Sequence, residues 1–361
     1  MIAGRLKAWQ GRVEQERKEH KLRYLFWETT RACNLRCGHC GSSCTVLGPG
    51  ELATDEIKAV FESIAADFDA RSIMVAVTGG EPLLRKDLFD VMGHVRGLGF
   101  QWGMVTNGML VDNDVVEKCH GAGMNTVTVS VDGLRKAHEL IRKGGSFDRT
   151  IDALLLLKGS GYFSVVQATT CVSQYNIGDL QGLYELFSRM GIDEWRLLTV
   201  TPIGRAKDDP NFRLQPSQLR SLLDFIVRKR REKGLRITFE EEGFLGTEYE
   251  GKVRDSLYFC PAGISIASIL ANGDIGACPN LPPKFIQGNV RHDRFSDVWE
   301  HRYQSMRDLS WKRCGLCDGC EWWEFCLGNS LHLWDLREGR PSMCHIRILA
   351  ESRRKQGNFG R

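Results

Sequence analysis

Short runs of apolar and β-branched residues, each followed by a stretch of helical spacing, are the strongest constraint on how this chain folds. The runs are Tyr24–Thr30, 73–78, 101–106, 126–131, 163–170 and 194–200, and helical patterns cover 54–68, 86–98, 112–121, 147–159 and 177–189. Strands that alternate with helices are joined by crossovers, which make the strands parallel and cover the sheet with helices. Thr54, followed by Asp55 and Glu56, marks a helix start, because acidic side chains in the first turn meet the positive end of the helix dipole. About six such βα units fall short of the eight that close a barrel. The expected fold is α/β, a partial (βα)6 TIM-like barrel open along one side.

Composition bounds the function. With 361 residues, 42% hydrophobic and 26% charged, the chain can bury a sizeable core and suits one large α/β unit plus a smaller one. A formal charge of +4 is too diffuse to imply a nucleic-acid partner, which needs a clustered basic face. Met1 to Lys21 is charged throughout and reads as neither an export signal nor a membrane anchor, and no later apolar run approaches a bilayer span. Thirteen cysteines without an export signal imply a reducing, cytoplasmic setting in which thiols bind metal or stay free. They cluster between Cys33 and Cys44 and between Cys260 and Cys344, leaving only Cys119 and Cys171 in the long middle, where they read as buried small hydrophobes. Two clusters around a cysteine-poor body imply two metal regions on one scaffold.

In sheets of this kind chemistry gathers at the C-terminal ends of the strands. Strand one runs into Cys33-Asn34-Leu35-Arg36-Cys37-Gly38-His39-Cys40, a C-x3-C-x2-C array. Its spacing is too tight for useful disulfides and leaves a four-coordinate zinc one ligand short, but it suits three corners of an iron–sulfur cube whose fourth iron is open. Cys44 is near enough in sequence to close the site instead. Strand two ends in Thr78-Gly79-Gly80-Glu81-Pro82, where glycines let a ligand approach the backbone, a carboxylate can bind an ammonium group and proline stiffens the turn. Strand three ends in Thr106-Asn107-Gly108 and strand four in Ser130-Val131-Asp132-Gly133. Each alone is an ordinary turn; their recurrence at successive strand ends favours a site.

In this order and at these intervals the motifs resemble the radical S-adenosylmethionine (SAM) superfamily over residues 24–205. The resemblance implies that Cys33, Cys37 and Cys40 hold a [4Fe–4S] cluster whose open iron chelates the amino and carboxylate groups of SAM. Gly79, Gly80 and Glu81 would then hold the SAM ammonium. His39 would stand where the family has an aromatic residue near the adenine, and Asn107, Ser130, Asp132 and Arg142 would line the cofactor. Ser130 and Arg142 match positions that meet the ribose and carboxylate, although Arg142 also reads as a solvated helix charge. The implied chemistry is reductive cleavage of SAM to a 5′-deoxyadenosyl radical that abstracts hydrogen from an unactivated carbon, fed by an external electron donor such as flavodoxin or ferredoxin.

From residue 210 the pattern changes. Asp208-Asp209-Pro210 reads as a linker, and Pro216 to Lys233 as a basic amphipathic helix with Leu219, Leu222, Leu223 and Ile226 on one face. Beyond Asp255, Cys260-x12-Gly273-x4-Cys278 with Cys317-x2-Cys320-x5-Cys326 and Cys344 resembles the SPASM extension, which carries auxiliary iron–sulfur clusters. A zinc knuckle on Cys314-x2-Cys317 or Cys317-x2-Cys320 is the alternative, though seven soft ligands beside a redox core suit electron-transfer clusters better. By resemblance Cys317, Cys320, Cys326 and Cys344 close one auxiliary [4Fe–4S] cluster. The cysteine expected four residues after Cys326 is Ser330, so a second auxiliary cluster rests on Cys260 and Cys278, with Cys314 as the candidate third thiol. The expected division is a helical extension (1–22), the radical SAM partial barrel (23–210), a linking helix and strand (211–254), the SPASM-type domain (255–347) and a basic tail (348–361).

Departures from the family patterns narrow the function. Sulfatase maturases carry an aspartate base after the second proximal-cluster cysteine, whereas Pro279 follows Cys278 and cannot take a proton. Peptide maturases often carry a leader-binding module before the barrel; with only a short stretch before Tyr24, a leader would be read by a separate protein or by the barrel itself. The segments Trp27–Cys44 and Cys326–Trp334 look most like uncharacterised maturases encoded beside small peptides or lipoproteins. The expected activity is hydrogen abstraction from a peptide or protein side chain, the runner-up a haem- or tetrapyrrole-modifying enzyme, and the non-enzyme alternative a zinc-stabilised binding scaffold. In Thr201-Pro202-Ile203-Gly204-Arg205-Ala206, after strand six, Arg205 could meet a substrate carboxylate or pair with a structural acid. No residue stands out as a catalytic acid or base. If Cys44 is a bystander, Cys44→Ser keeps the cluster's iron and absorbance, whereas loss of Cys33, Cys37 or Cys40 abolishes radical chemistry.

Overall fold

The computed structural model describes residues 2–46, 48, 50–240 and 243–357. Its first six strands are β1 (Tyr24–Glu28), β2 (Met74–Thr78), β3 (Gln101–Thr106), β4 (Thr126–Ser130), β5 (Val165–Val172) and β6 (Glu194–Thr199). They pair in parallel, in sequence order. The helices are α1 (Ile2–Glu19), α2 (Thr54–Asp67), α3 (Leu88–Gly97), α4 (Asn113–Gly121), α5 (Arg135–Arg142), α6 (Phe147–Ser160), α7 (Leu180–Met190) and α8 (Pro216–Arg231). The alternation read from the sequence is thus present, with one addition: α5, which periodicity did not single out because its apolar side is short and its length is under three turns.

Alternate residues of each strand face the helices. Leu25 and Trp27, Val75 and Val77, Val127 and Val129, and Trp195 and Leu197 all lie in the main apolar core. Fully burying such side chains stabilises the fold by roughly 1.5–3 kcal/mol each. The opposite faces of β4 to β6, and of the next strand in the sheet, carry a polar network inside the barrel, whereas β1 and β2 present Phe26, Met74 and Ala76 there. Thr128 Oγ1 donates to Gln167 Oε1 (2.8 Å), Gln167 Nε2 to Glu194 Oε2 (2.6 Å) and Thr238 Oγ1 to Glu194 Oε1 (3.3 Å). A closed eight-stranded barrel fills this space with branched apolar side chains. Here it is a chamber.

The C-terminal region does not stand apart from the barrel as a second unit beginning near Asp255. β7 (Arg236–Phe239) adds in parallel to β6, and β8 (Ile266–Ile269) adds in parallel to β1. β9 (Asp274–Gly276) and β10 (Gly288–Asn289) then follow antiparallel, giving one ten-stranded sheet. The added strands satisfy the outer backbone groups of β1 and β6, which would otherwise be exposed edges. The sheet stays open between β7 and β8.

Further segments close over this sheet. From α1, Trp9 Nε1 donates to Tyr258 O (3.1 Å) and Arg17 to Arg307 O. Leu219, Leu222, Leu223 and Ile226 of α8 are buried as their spacing predicts. The expected basic tail is, as far as residue 357, part of a helix (His345–Gly357) lying on α8, where Arg220 donates to Ser352 Oγ (2.8 Å) and Leu349 O (3.1 Å). Residues 358–361 lie outside the described residues. Among the described residues no helix is long and apolar enough to cross a membrane.

Candidate active site

The cysteine loop begins where β1 ends, and main-chain bonds join it to the end of β2. Thr29 N donates to Thr78 O (2.9 Å), Gly80 N to Thr30 O (2.7 Å) and Glu81 N to Ala32 O (2.8 Å), so parallel pairing continues past both strands. The two glycines follow from this crossing. A Cβ on Gly79 would stand 2.6 Å from Thr30 O, and one on Gly80 would stand 2.0 Å from Ala32 O. Gly79 also has φ +141°, a conformation that side chains disfavour. The chain's own backbone thus approaches Gly79 and Gly80 closely enough by itself to require glycine at both.

Glu81 is likewise held by the chain itself. It is 0% exposed, and its carboxylate accepts from Thr106 Oγ1 (2.7 Å), Asn107 N (2.8 Å) and Leu83 N (3.3 Å). Burial pushes its pKa up further than these donors pull it down. It ties the ends of β2 and β3 together, and no oxygen is left at a surface to meet an ammonium group. Asn107 is also a tie: its Nδ2 donates to Asn34 Oδ1 (2.7 Å) and its Oδ1 accepts from Met109 N (2.9 Å), fastening β3 to the cysteine loop.

Asp132, just past β4, is the hub. Its Oδ2 accepts from Arg142 Nε (2.6 Å) and lies 2.6 Å from His39 Nε2, while Oδ1 accepts from Cys171 N (2.7 Å). Its burial alone would raise the carboxyl pKa, but Arg142 and His39 outweigh that and hold it below the usual range. Arg142 is therefore no solvated helix charge. It is buried, and its Nη1 stands 3.9 Å from Cys37 Sγ. His39 is committed through Nε2 to Asp132, with its ring edge-on to Phe212 at 6.0 Å between centroids. Behind them, His138 accepts from Asp132 N (3.2 Å) and faces Ser146 Oγ (3.0 Å); burial, helped by Arg142, lowers it to about 4 and keeps it neutral. Cys171 brings its thiol within 4.8 Å of ligand atoms of both His39 and Asp132, which its sequence context did not reveal. Ser130 lies on the chamber face beside Thr169.

Arg205 makes no ion pair among the described residues. It clamps the cysteine loop: its main-chain N donates to Cys40 O (3.1 Å), Nε to Cys37 O (2.7 Å) and Nη1 to Cys44 O (3.2 Å). Burial raises the Cys33 and Cys37 thiols, whereas a hydrogen bond from buried Cys44 lowers Cys40. Three soft thiols on one tied-down loop, flanked by two guanidinium groups, fit an iron–sulfur cluster with its net negative charge.

At the other end, Cys317, Cys320, Cys326 and Cys344 line one cavity of about 470 Å³, a donor set that fits a closed four-thiol cluster. Cys314 sits beside Cys317, with its thiol turned to Trp311 O (3.7 Å) and Gly339 O (3.4 Å). The short turn Gly315–Cys317 links Cys314 directly to Cys317. Cys260 and Cys278 instead line a 450 Å³ cavity together with Ser330 and His332. A second cavity of 540 Å³, lined by Glu28, Gly41 and Ser42 on the cysteine-loop side and by Asn280 and Trp334 on the other, also reaches His332. Lys312, missed from sequence, is fully buried and donates to Asn329 O (2.7 Å), between Trp311 and Trp334 and within electrostatic reach of Cys260, Cys326 and Cys317. Burial lowers its ammonium to about 8 against the pull of those thiols.

The chain matches the family model of the radical SAM superfamily over residues 27–187 and that of the SPASM iron–sulfur cluster-binding domain over 260–321. It is similar to the AdoMet-dependent heme synthase of Methanosarcina barkeri, 28% identical over 329 residues that span 85% of this chain and 90% of that protein. It is also similar to mycofactocin maturase MftC of Mycolicibacterium smegmatis, 29% identical over 315 residues, 85% of this chain and 77% of that protein. Among solved structures, Streptococcus suis SuiB bound to S-adenosylmethionine has a TM-score of 0.71 at 17% identity, over 93% of this chain and 80% of that one. Native anSMEcpe with bound AdoMet has 0.71 at 20%, over 92% and 95%. At these identities the two structures speak for the fold alone.

Breaking a buried ion pair on one side strands the other charge. Asp132→Asn is expected to lower stability in urea unfolding by about 3–5 kcal/mol. Because pairing depresses the carboxyl's pKa, its contribution is full above the unfolded value near ~4 and is lost as pH falls through the folded one. An unchanged midpoint at neutral pH would remove the hub from this account.

Proposed function

This chain is a radical SAM enzyme carrying a SPASM iron–sulfur domain, and from that premise we propose that its substrate is a peptide or protein side chain, which it crosslinks, epimerises or oxidises. Cys33, Cys37 and Cys40 are the proposed cluster ligands; the cluster with SAM supplies one-electron cleavage of SAM and removal of hydrogen from an unreactive C–H bond. The protein orients and shields. Arg205, Asn34 and the Gly79–Glu81 crossing hold the thiol loop, Asp132 sets Arg142 against Cys37, and the buried strand ends keep water away.

The observation that carries the peptide reading is the polar network of Thr128, Gln167, Glu194 and Thr238 inside the barrel, beside the cavity that holds Cys260 and Cys278. A peptide brings backbone donors and acceptors that such walls can match, whereas a tetrapyrrole buries two broad apolar faces. Mycofactocin maturase MftC, similar over 85% of the chain, supports it. The similar share matched by heme synthase keeps a tetrapyrrole as the second reading. We further propose Cys317, Cys320, Cys326 and Cys344 as ligands of one auxiliary cluster, a flavodoxin or ferredoxin as electron donor, a separate leader-binding protein as partner, and the cytoplasm as the compartment suited to thirteen reduced cysteines.

Anaerobically reconstituted protein given SAM and dithionite is expected to release 5′-deoxyadenosine, and Cys37→Ala to release none. A colourless protein holding zinc and no labile sulfide would point to a binding scaffold instead. A neighbouring short-peptide gene whose product changes mass on incubation is the expected companion; neighbours of a tetrapyrrole pathway would favour the second reading.

A further inference from the structure

Several polar groups inside the barrel are left without partners. Arg196 Nε, Thr169 Oγ1 and Ser268 Oγ are buried and make no hydrogen bond among the described residues. They stand on β6, β5 and β8, each on the face opposite to core residues: Trp195 and Leu197 flank Arg196, Ala168 precedes Thr169 and Ala267 precedes Ser268. All three therefore point into the chamber.

Strand register brings two of them together. Thr169 is opposite Arg196, and Arg196 is opposite Thr238, so the three form one row across β5, β6 and β7. Thr238 lines the cavity that reaches Cys278, and Arg196 and Glu240 both act electrostatically on Tyr24 of β1. The charged groups of the neighbouring row are committed. Glu194 takes Gln167 and Thr238, and Arg236 takes Asp255 (2.8 Å). Arg196 makes no ion pair among the described residues.

A buried donor without a partner costs about 1–3 kcal/mol, so the buried Nε of the half-buried Arg196 is a donor awaiting an acceptor. Its planar fork matches a carboxylate with two parallel hydrogen bonds. One uncommitted positive charge with Glu240 nearby suits a monoanion better than a phosphate dianion. Ser130, matched to a SAM-contacting position, stands in the same row two strands away, so SAM stays bound throughout the test below and only the added carboxylate is read. We propose that Arg196, with Thr169 beside it, anchors the substrate through a carboxylate group. This rests on the reading that the substrate enters the chamber. It does not rest on the substrate being a peptide: a peptide C-terminus and a tetrapyrrole propionate offer the same chemistry.

The test uses reconstituted holoenzyme with SAM and measures retention on ultrafiltration. One arm offers tetrapeptides lacking Asp and Glu, as free acids and as C-terminal amides. The other offers a tetrapropionate porphyrin and its tetramethyl ester. In one arm or the other, wild type is expected to retain the acid at least ~10-fold better, a difference of about 1.4 kcal/mol. Arg196→Gln should lose the preference at unchanged iron and sulfide content, and Arg196→Lys should keep part of it. If Arg196→Gln loses its clusters, Thr169→Val serves instead, with a smaller loss of the same preference. Acid preference confined to the porphyrin arm supports the anchor and overturns the peptide reading. Equal retention of acids and their neutral forms, a preference that survives Arg196→Gln, or no retention in either arm overturns the anchor.

Discussion

One buried carboxylate holds the top of this barrel together. Asp132 receives Arg142 from α5, His39 from the cysteine loop and the main chain of Cys171 from β5, and it is 0% exposed. An ion in that position is tolerable only because each oxygen is met by a donor and a guanidinium balances the charge. The same pairing fixes where Arg142 can be, 3.9 Å from the Cys37 thiol. The environment of the cysteine loop is therefore set from β4, through a residue far from the loop in sequence.

Glu81 and Arg205 extend the same logic. Glu81 bonds the end of β3 to the end of β2, and Arg205 reaches back from beyond β6 to the loop's carbonyls. Much of the polar chemistry at the strand ends thus serves to hold backbone, and the thiols are left as the groups with free valence. A loop tied at so many points is pre-organised, which is what a site needs if its ligands are to meet a cluster without rearrangement.

The chamber below follows from incompleteness. With the sheet open between β7 and β8, the interior cannot be packed as a dry core, and the strand faces that line it carry Thr128, Gln167, Glu194 and Arg196. β8 pairing with β1 brings the second cysteine region against this opening, so Cys260 and Cys278 face the same space as the barrel strands. The parallel sheet that builds the barrel also positions its auxiliary thiols.

The alternation of apolar strands and helical stretches was enough to place β1 to β6 nearly to the residue, because each has an apolar face that must meet a helix. Cysteine spacing likewise marked both thiol regions, since ligands close in sequence stay close in space. The sequence could not assign partners. His39, Glu81, Asn107, Arg142 and Arg205 were visible as polar residues near strand ends, but which of them face a ligand and which bond their own chain depends on contacts between segments dozens of residues apart. For the same reason β8 gave no local sign that it would join β1. Local pattern decides which element forms and which face it buries; only the tertiary fold decides where an ion in that element finds its counter-charge, because a buried charge takes whichever partner the packing brings within reach.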